Sequence, residues 1–243
     1  MEPYFYHDKL CLNVLANHVE NAKEIYEATE GHVIIGLLSS AYTSVEQAVH
    51  SIETYANAVE GAISLGLGSG NPKQAEMVAH ISREVEVAHI NQVFSAVGYT
   101  RCSTKNKSAF INGLVKPTEE IGYVNIATGP LSSERESANI PIQTAISLIK
   151  EMGGNSLKLF PLNGMQHREH YKYIAEVCGK EQFALEPTGG IDLHNFEEIV
   201  RIALDAGVPK VIPHVYSSII DKQTGDTRLE DVAQLYKIMK KVG

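Results

Sequence analysis

Short apolar runs of strand character alternate along the chain with longer segments of helical period. Residues 10–15 (LCLNVL), 33–38 (VIIGLL) and 63–67 read as strands, and residues 19–29 and 44–59 as helices. Ser44 and Gln47 stand at capping-box spacing, and the helix after residue 67 has Pro72 near its first turn. Residues 89–94 and 110–115 give weaker strand patterns. The polar stretch between them, GYTRCSTKNKSA, is too long for a plain connector, and CSTKNKSAF (residues 102–110) is expected to be a mobile or interface loop. Residues 123–127 suggest a further strand. A helix over 140–152, a strand over 156–160, a helix over 168–178 and a strand over 183–185 follow. A helix over 193–204, a strand over 210–213 and a helix over 229–240 complete the chain.

About eight βα units in a chain of this length predict a single (β/α)8 TIM barrel domain spanning residues 1–243. The alternative is a doubly wound open sheet, but no Gly-x-Gly-x-x-Gly lies where the first strand passes into its helix. The glycine-rich GLGSGNPKQ (residues 66–74) has neither that spacing nor the Gly-Lys-Ser/Thr of a P-loop.

Composition narrows the function. With 44% hydrophobic residues the chain can bury a large core, yet no apolar run approaches the ~20 residues that span a bilayer. The opening MEPYFYHDKL has no signal-peptide pattern, so a cytoplasmic protein is expected. Cys11, Cys102 and Cys178 are too widely spaced for a disulfide framework or a zinc cluster. A net charge of -8 argues against a nucleic-acid partner. An anionic ligand would need a site that is locally positive.

Lys158 lies within the apolar strand SLKLFP, where a lysine is rare unless it is paired or used. Alternation puts Lys158 and Phe160 on one face of the strand. If that face is the barrel interior, the amine lies beneath the catalytic mouth, where burial lowers its pKa toward that of a free nucleophile. A lysine snorkelling to the rim or paired with a buried carboxylate fits the residue type equally. The following strand ends in Thr188-Gly189-Gly190 directly before a predicted helix. That arrangement lets backbone N–H groups and a helix dipole meet an anion.

SLKLFPL followed by EPTGGID resembles the class I 2-dehydro-3-deoxy-6-phosphogluconate (KDPG) aldolases, which pair a Lys-Phe-Phe-Pro strand with a Pro-Thr-Gly-Gly-Ile turn. VGYTR, ATGPLS and PHVYSSIID resemble a longer bacterial branch, the KDGP aldolase family, over essentially the whole chain. The resemblance implies that Lys158 forms an imine with the 2-keto carbon of a sugar acid. Carbon–carbon cleavage then releases an aldehyde, and the remaining enamine becomes pyruvate. Thr188 would contact the carboxylate, and Gly189 and Gly190 would bind it or a distal phosphate. Neither a metal nor another cofactor is implied, because the protonated imine is the electron sink. Related aldolases form rings, which makes a homo-oligomer the expectation.

The chain departs from the short aldolases in two ways. It lacks the glutamate of their Glu-Val-Thr-Leu-Arg strand, and IPHVYSSIID replaces their Gly-Gly-Ser phosphate loop. Glu186, on the face of Thr188 and one step deeper, is the candidate for proton transfer, a structural ion pair being the alternative. His214 is a second candidate for proton transfer or substrate binding, or a structural histidine among ten. Ser217 and Ser218 could hold the phosphate. Arg101 is the unassigned cation for an anion, or a solvated surface residue. The expected activity is cleavage of KDPG to pyruvate and glyceraldehyde 3-phosphate. A 4-hydroxy-2-oxoglutarate-type aldolase, a barrel isomerase or epimerase, and a non-catalytic sugar-phosphate sensor remain as alternatives.

Overall fold

A computed structural model describes residues 2–243. Among them are nine strands: β1 (Leu12–Leu15), β2 (Val33–Leu38), β3 (Ile63–Gly66), β4 (His89–Val93), β5 (Phe110–Pro117), β6 (Tyr123–Asn125), β7 (Asn139–Pro141), β8 (Ser156–Leu159) and β9 (Ala184–Pro187). The helices are α1 (Val19–Ala28), α2 (Val45–Ala58), α3 (Ala75–Glu84), α4 (Val97–Ser103), α5 (Ile142–Glu151), α6 (Arg168–Lys180), α7 (Phe196–Asp205) and α8 (Leu229–Val242). None is long and apolar enough to cross a membrane.

Strands β1, β2, β3, β4, β5, β8 and β9 pair in that order, every one parallel to its neighbour. Residues 210–215 close the ring. Val211 and His214 bridge to Leu185 and Thr188 on one side and to Leu10 and Asn13 on the other. The predicted strand over 210–213 is therefore an eighth stave made of separate bridges. Pro213 has no N–H to donate, which interrupts the ladder there. The result is the predicted α/β barrel.

The barrel's staves are buried on both faces, which is why β1 and β2 read as nearly continuous apolar runs. Ser44 caps α2 by accepting from the Gln47 N–H at 3.2 Å, while the Gln47 side chain reaches back to the Thr43 N–H at 2.9 Å. A short 3-10 turn beginning at Pro72 leads into α3.

Two expectations change. The stretch over 98–109 is not a loose loop: α4 occupies its first part, and Thr104 and Asn106 are buried beyond it. The Asn106 amide donates to the Val87 carbonyl at 2.8 Å. Residues 123–125 do form a strand, but not a stave. With β7 and the end of β5 they make a small antiparallel sheet outside the barrel.

The interior is layered. Cys11, Ile34, Phe110, Ala184 and Ile212, with Phe5 beneath, form an apolar plug at the amino-terminal end. One step up, the inward residues turn polar: Asn13, Ser64, His89, Asn112, Ser156, Glu186 and His214, all buried. Above them the barrel opens into a cavity.

Candidate active site

The cavity lies at the carboxyl ends of the strands, as in barrel enzymes generally. It has a volume of about 280 Å³, and its floor is built from Asn91, Lys158, Thr188, His214 and Tyr216. Among the described residues, Lys158 is the only lysine or arginine that lines it. The Lys158 ammonium donates to Asn91 Oδ1 at 2.7 Å and lies 3.3 Å from His214 Nδ1. Burial pulls its pKa down to about 8, although the Glu186 charge pulls the other way. About a tenth of the side chain is thus a free amine at pH 7, far more than for an ordinary lysine.

Glu186 is the hub of the polar layer. It accepts from His89 Nε2 at 3.0 Å, Asn112 Nδ2 at 2.6 Å, His214 Nε2 at 2.9 Å and the Ser156 hydroxyl. Burial alone would raise its pKa, but the two imidazoles hold it well below the usual carboxylate range. The carboxylate has no proton to give, so each ring donates to it through an Nε2–H. Ser64 Oγ lies 2.8 Å from His89 Nδ1, and neutral His214 offers Nδ1 to Lys158. Burial and the nearby Lys158 charge push the His214 pKa down to about 3, so the ring is neutral at pH 7. His89, Glu186 and His214 converge closely enough to hold an ion. Here their ligating atoms are engaged with one another in hydrogen bonds.

On the other side of Lys158, Thr188-Gly189-Gly190 turns over the cavity with φ of 100° and 70° at the glycines. A Cβ on Gly190 would stand 2.5 Å from the Gly164 nitrogen, and one on Gly189 would press on the Phe160 ring. Only glycine fits both places without strain. Among the described residues, neither glycine N–H donates to an acceptor. Helix α7 begins only at Phe196, so the expected helix dipole is not aimed at this turn. Its anion-binding capacity resides in the turn's own N–H groups.

A model of the KDGP aldolase family matches residues 6–223. A relative from Salmonella typhimurium (strain 14028s / SGSC 2262), named 2-dehydro-3-deoxy-phosphogluconate aldolase, is 41% identical over 240 residues, 97% of each chain. The chain belongs to the KDGP aldolase family. A structure described as native KDPGal superposes on this KDGP aldolase with a TM-score of 0.58, covering 100% of this chain and 98% of that one at 14% identity. The (S)-3-O-geranylgeranylglyceryl phosphate synthase of Thermoplasma acidophilum has the same TM-score at 11% identity, covering 96% and 94%. At these identities the superpositions speak for the barrel fold.

The fold brings together Lys158, Thr188, Gly189, Gly190, His214 and Ser217 around the KDGP aldolase cavity. Glu186 is adjacent but does not line it. The carboxylate lies a layer below, out of reach of a ligand, with the His214 ring between it and Lys158. Ser218 turns away, donating to the Ile191 carbonyl at 2.7 Å. Arg101 is remote. Its guanidinium clasps the carbonyls of Gly153, Lys107 and Ala109 and the side chain of Asn155, all preceding β5 or β8 at the opposite end of the barrel. It is neither an anion site nor a solvated surface group. Sequence reasoning missed Asn91, which receives the lysine, and Tyr216, whose hydroxyl lies 3.0 Å from His214 Nδ1. Tyr216 shares the strand parity of His214, and that alternation was the one available signal.

Proposed function

We propose that the protein is a class I aldolase that cleaves 2-dehydro-3-deoxy-6-phosphogluconate to pyruvate and glyceraldehyde 3-phosphate. The observation that carries this reading is a half-buried lysine with a pKa lowered to about 8 at the floor of a barrel-mouth cavity, beside a turn with free N–H groups. The Salmonella relative's name supports the substrate, and family membership supports the carbon–carbon lyase chemistry.

The neutral Lys158 amine attacks the 2-keto carbon, and loss of water gives a protonated imine. Thr188 and the N–H groups of Gly189 and Gly190 hold the adjacent carboxylate, fixing the ketone over the amine. When the C3–C4 bond breaks, its electrons flow into the iminium and the aldehyde leaves. Protonation of the resulting enamine and hydrolysis of the imine release pyruvate. Glu186 acts through His214, holding the ring's tautomer and orientation, and is a positioning residue. Ser217 and backbone N–H groups receive the phosphate. A homo-oligomer in the cytoplasm belongs to the same proposal, and light scattering tests the assembly.

That no lysine or arginine besides Lys158 lines the cavity among the described residues favours a second reading, a 4-hydroxy-2-oxoglutarate-type aldolase with no phosphate site. A lactate dehydrogenase-coupled assay on both substrates, and on dephosphorylated KDPG, decides between them. Pyruvate release from the phosphorylated acid, at a kcat/KM at least ten times that for either competitor, is expected. Equal rates with and without phosphate would overturn the phosphate assignment. No pyruvate from any of them would overturn the aldolase reading.

A further inference from the structure

The aldolase reading leaves the proton of the C4 hydroxyl without a destination. It must leave as C3–C4 breaks, and a proton must later reach C3. Glu186 is sealed beneath His214 and cannot meet a substrate. His214 is itself only 2% exposed, and its ring nitrogens are already approached by Glu186 at Nε2 and by Lys158 and Tyr216 at Nδ1. Tyr216 is different. It is partly open, lines the cavity, and its hydroxyl lies 3.0 Å from His214 Nδ1 and 3.1 Å from Asn13 Oδ1.

We propose that Tyr216 is the catalytic residue that takes the substrate proton, relaying it to Nδ1 of His214. The assignment rests on the aldolase reading. In the resting site Nδ1 receives the Lys158 ammonium. Imine formation replaces that ammonium with a nitrogen carrying one N–H, which frees Nδ1. The phenol, donating to Asn13 in the resting site, can then turn its proton to the ring. As C3–C4 breaks, the C4 hydroxyl gives its proton to the Tyr216 oxygen, and the Tyr216 proton passes to Nδ1. The O–H electron pair forms the aldehyde C=O, and the C3–C4 pair forms the enamine C=C. The iminium π pair becomes the nitrogen lone pair. Reversing the relay delivers the proton to C3, restoring the iminium, which water hydrolyses.

Charge makes the relay favourable at the moment it is needed. The charged groups facing His214 are Lys158 and Glu186, with His89 and Tyr216 as titratable neighbours. Burial and the Lys158 charge both disfavour a proton on the ring, and Glu186 favours one. Bond cleavage turns the cationic iminium into a neutral enamine, so the repulsion disappears as the ring is protonated. One positive charge moves from Lys158 to His214 beside Glu186, and the net charge of the buried site stays constant. Charge shifts between preorganised groups in this way cost little reorganisation.

The test compares native protein, Y216F and protein with 3,5-difluorotyrosine at position 216. In each, three properties are measured: borohydride-trapped pyruvate adduct, KDPG cleavage, and exchange of the pyruvate methyl protons in D2O. For Y216F the expected result is adduct formation within a few-fold of native, with cleavage and methyl exchange both reduced by roughly 100-fold or more. Burial and the Glu186 charge push the Tyr216 phenol up, and fluorination brings it down. Cleavage and exchange should therefore be lost at lower pH on the alkaline side in the fluorinated protein than in the native one. That shift also decides the matter if Y216F fails to fold. Cleavage by Y216F within about ten-fold of native, loss of its adduct, or an unmoved profile in the fluorinated protein would each overturn the assignment. If native protein itself forms no adduct, the aldolase reading falls, and this assignment with it.

Discussion

Lys158 and Glu186 are register partners on adjacent parallel strands, yet their charges do not touch. The amine rises to the cavity and the carboxylate stays in the layer below, with the His214 ring bonded to both. This spacing leaves the lysine close enough to feel the negative charge and too far to be locked in an ion pair. A direct pair would hold the amine protonated and spoil it as a nucleophile. Burial therefore prevails, and the pKa falls.

The hub should be intolerant of an isosteric change. Glu186→Gln places an amide N–H2 where His89, His214, Asn112 and Ser156 all donate. At least one buried donor then loses its acceptor, and the charge that balances Lys158 is gone. Urea unfolding of E186Q at pH 7 should show a loss of about 3 kcal/mol. Stability within about 0.5 kcal/mol of native would mean that the network is not held by the charge.

Acid should weaken the protein earlier than the carboxylate alone would allow. The folded His214 pKa of about 3 lies below its ordinary 6.5, so the unfolded chain takes up the proton first as pH falls through 6.5. Stability is therefore lost from pH 6.5 downward, at up to ~1.4 kcal/mol per pH unit from this ring. His170, also lowered by burial, adds a slope of the same sign. Glu186 is held below its usual 4.5, so its contribution is complete above 4.5 and disappears only at lower pH. Urea midpoints between pH 6.5 and 5 should fall less steeply in H214Q than in the native protein. Parallel slopes would show that His214 is not buried as a neutral ring.

The glycine turn should control ligand affinity. In Gly190→Ala the new Cβ meets the Gly164 nitrogen at 2.5 Å, and backbone must move at a φ of 70°. Such strain costs about 1–3 kcal/mol and displaces the N–H groups offered to the carboxylate. The pyruvate concentration needed for half-maximal adduct trapping should rise at least ten-fold, with far-UV circular dichroism unchanged. An unaltered half-saturation would remove the turn from the carboxylate site.

Arg101 should matter to the fold and not to the chemistry. Arg101→Leu strips donors from four acceptors between α4, β5 and β8. A loss of about 2–3 kcal/mol in chemical unfolding is expected, with the KM for phosphorylated substrate unchanged. A KM raised ten-fold in the folded variant would return Arg101 to the phosphate site.

The barrel was legible because its staves are buried on both faces and its helices are not, so two periods alternate cleanly. Lys158 was legible as a charge in an apolar strand, and the Thr-Gly-Gly turn as backbone no side chain could occupy. The polar layer was equally present, in Asn13 of LCLNVL, Ser64 of AISLGL, His89 and Asn91 of HINQV, and Asn112 of FINGLV. What the letters do not carry is height around the ring, since register between strands decides which of these residues meet. That is why Glu186 could be put on the right face yet given contact with the substrate. Arg101 misled for a related reason. A cation in a polar stretch looks solvated until the fold supplies its carbonyls, and only those long-range partners turn α4 into structure.

Borohydride trapping with pyruvate, followed by peptide mapping, addresses the central claim most directly. The predicted result is a reduced pyruvyl adduct on Lys158 alone, forming faster as pH rises through about 8, where the amine loses its proton. An adduct on another lysine, or none while pyruvate is bound, would contradict it.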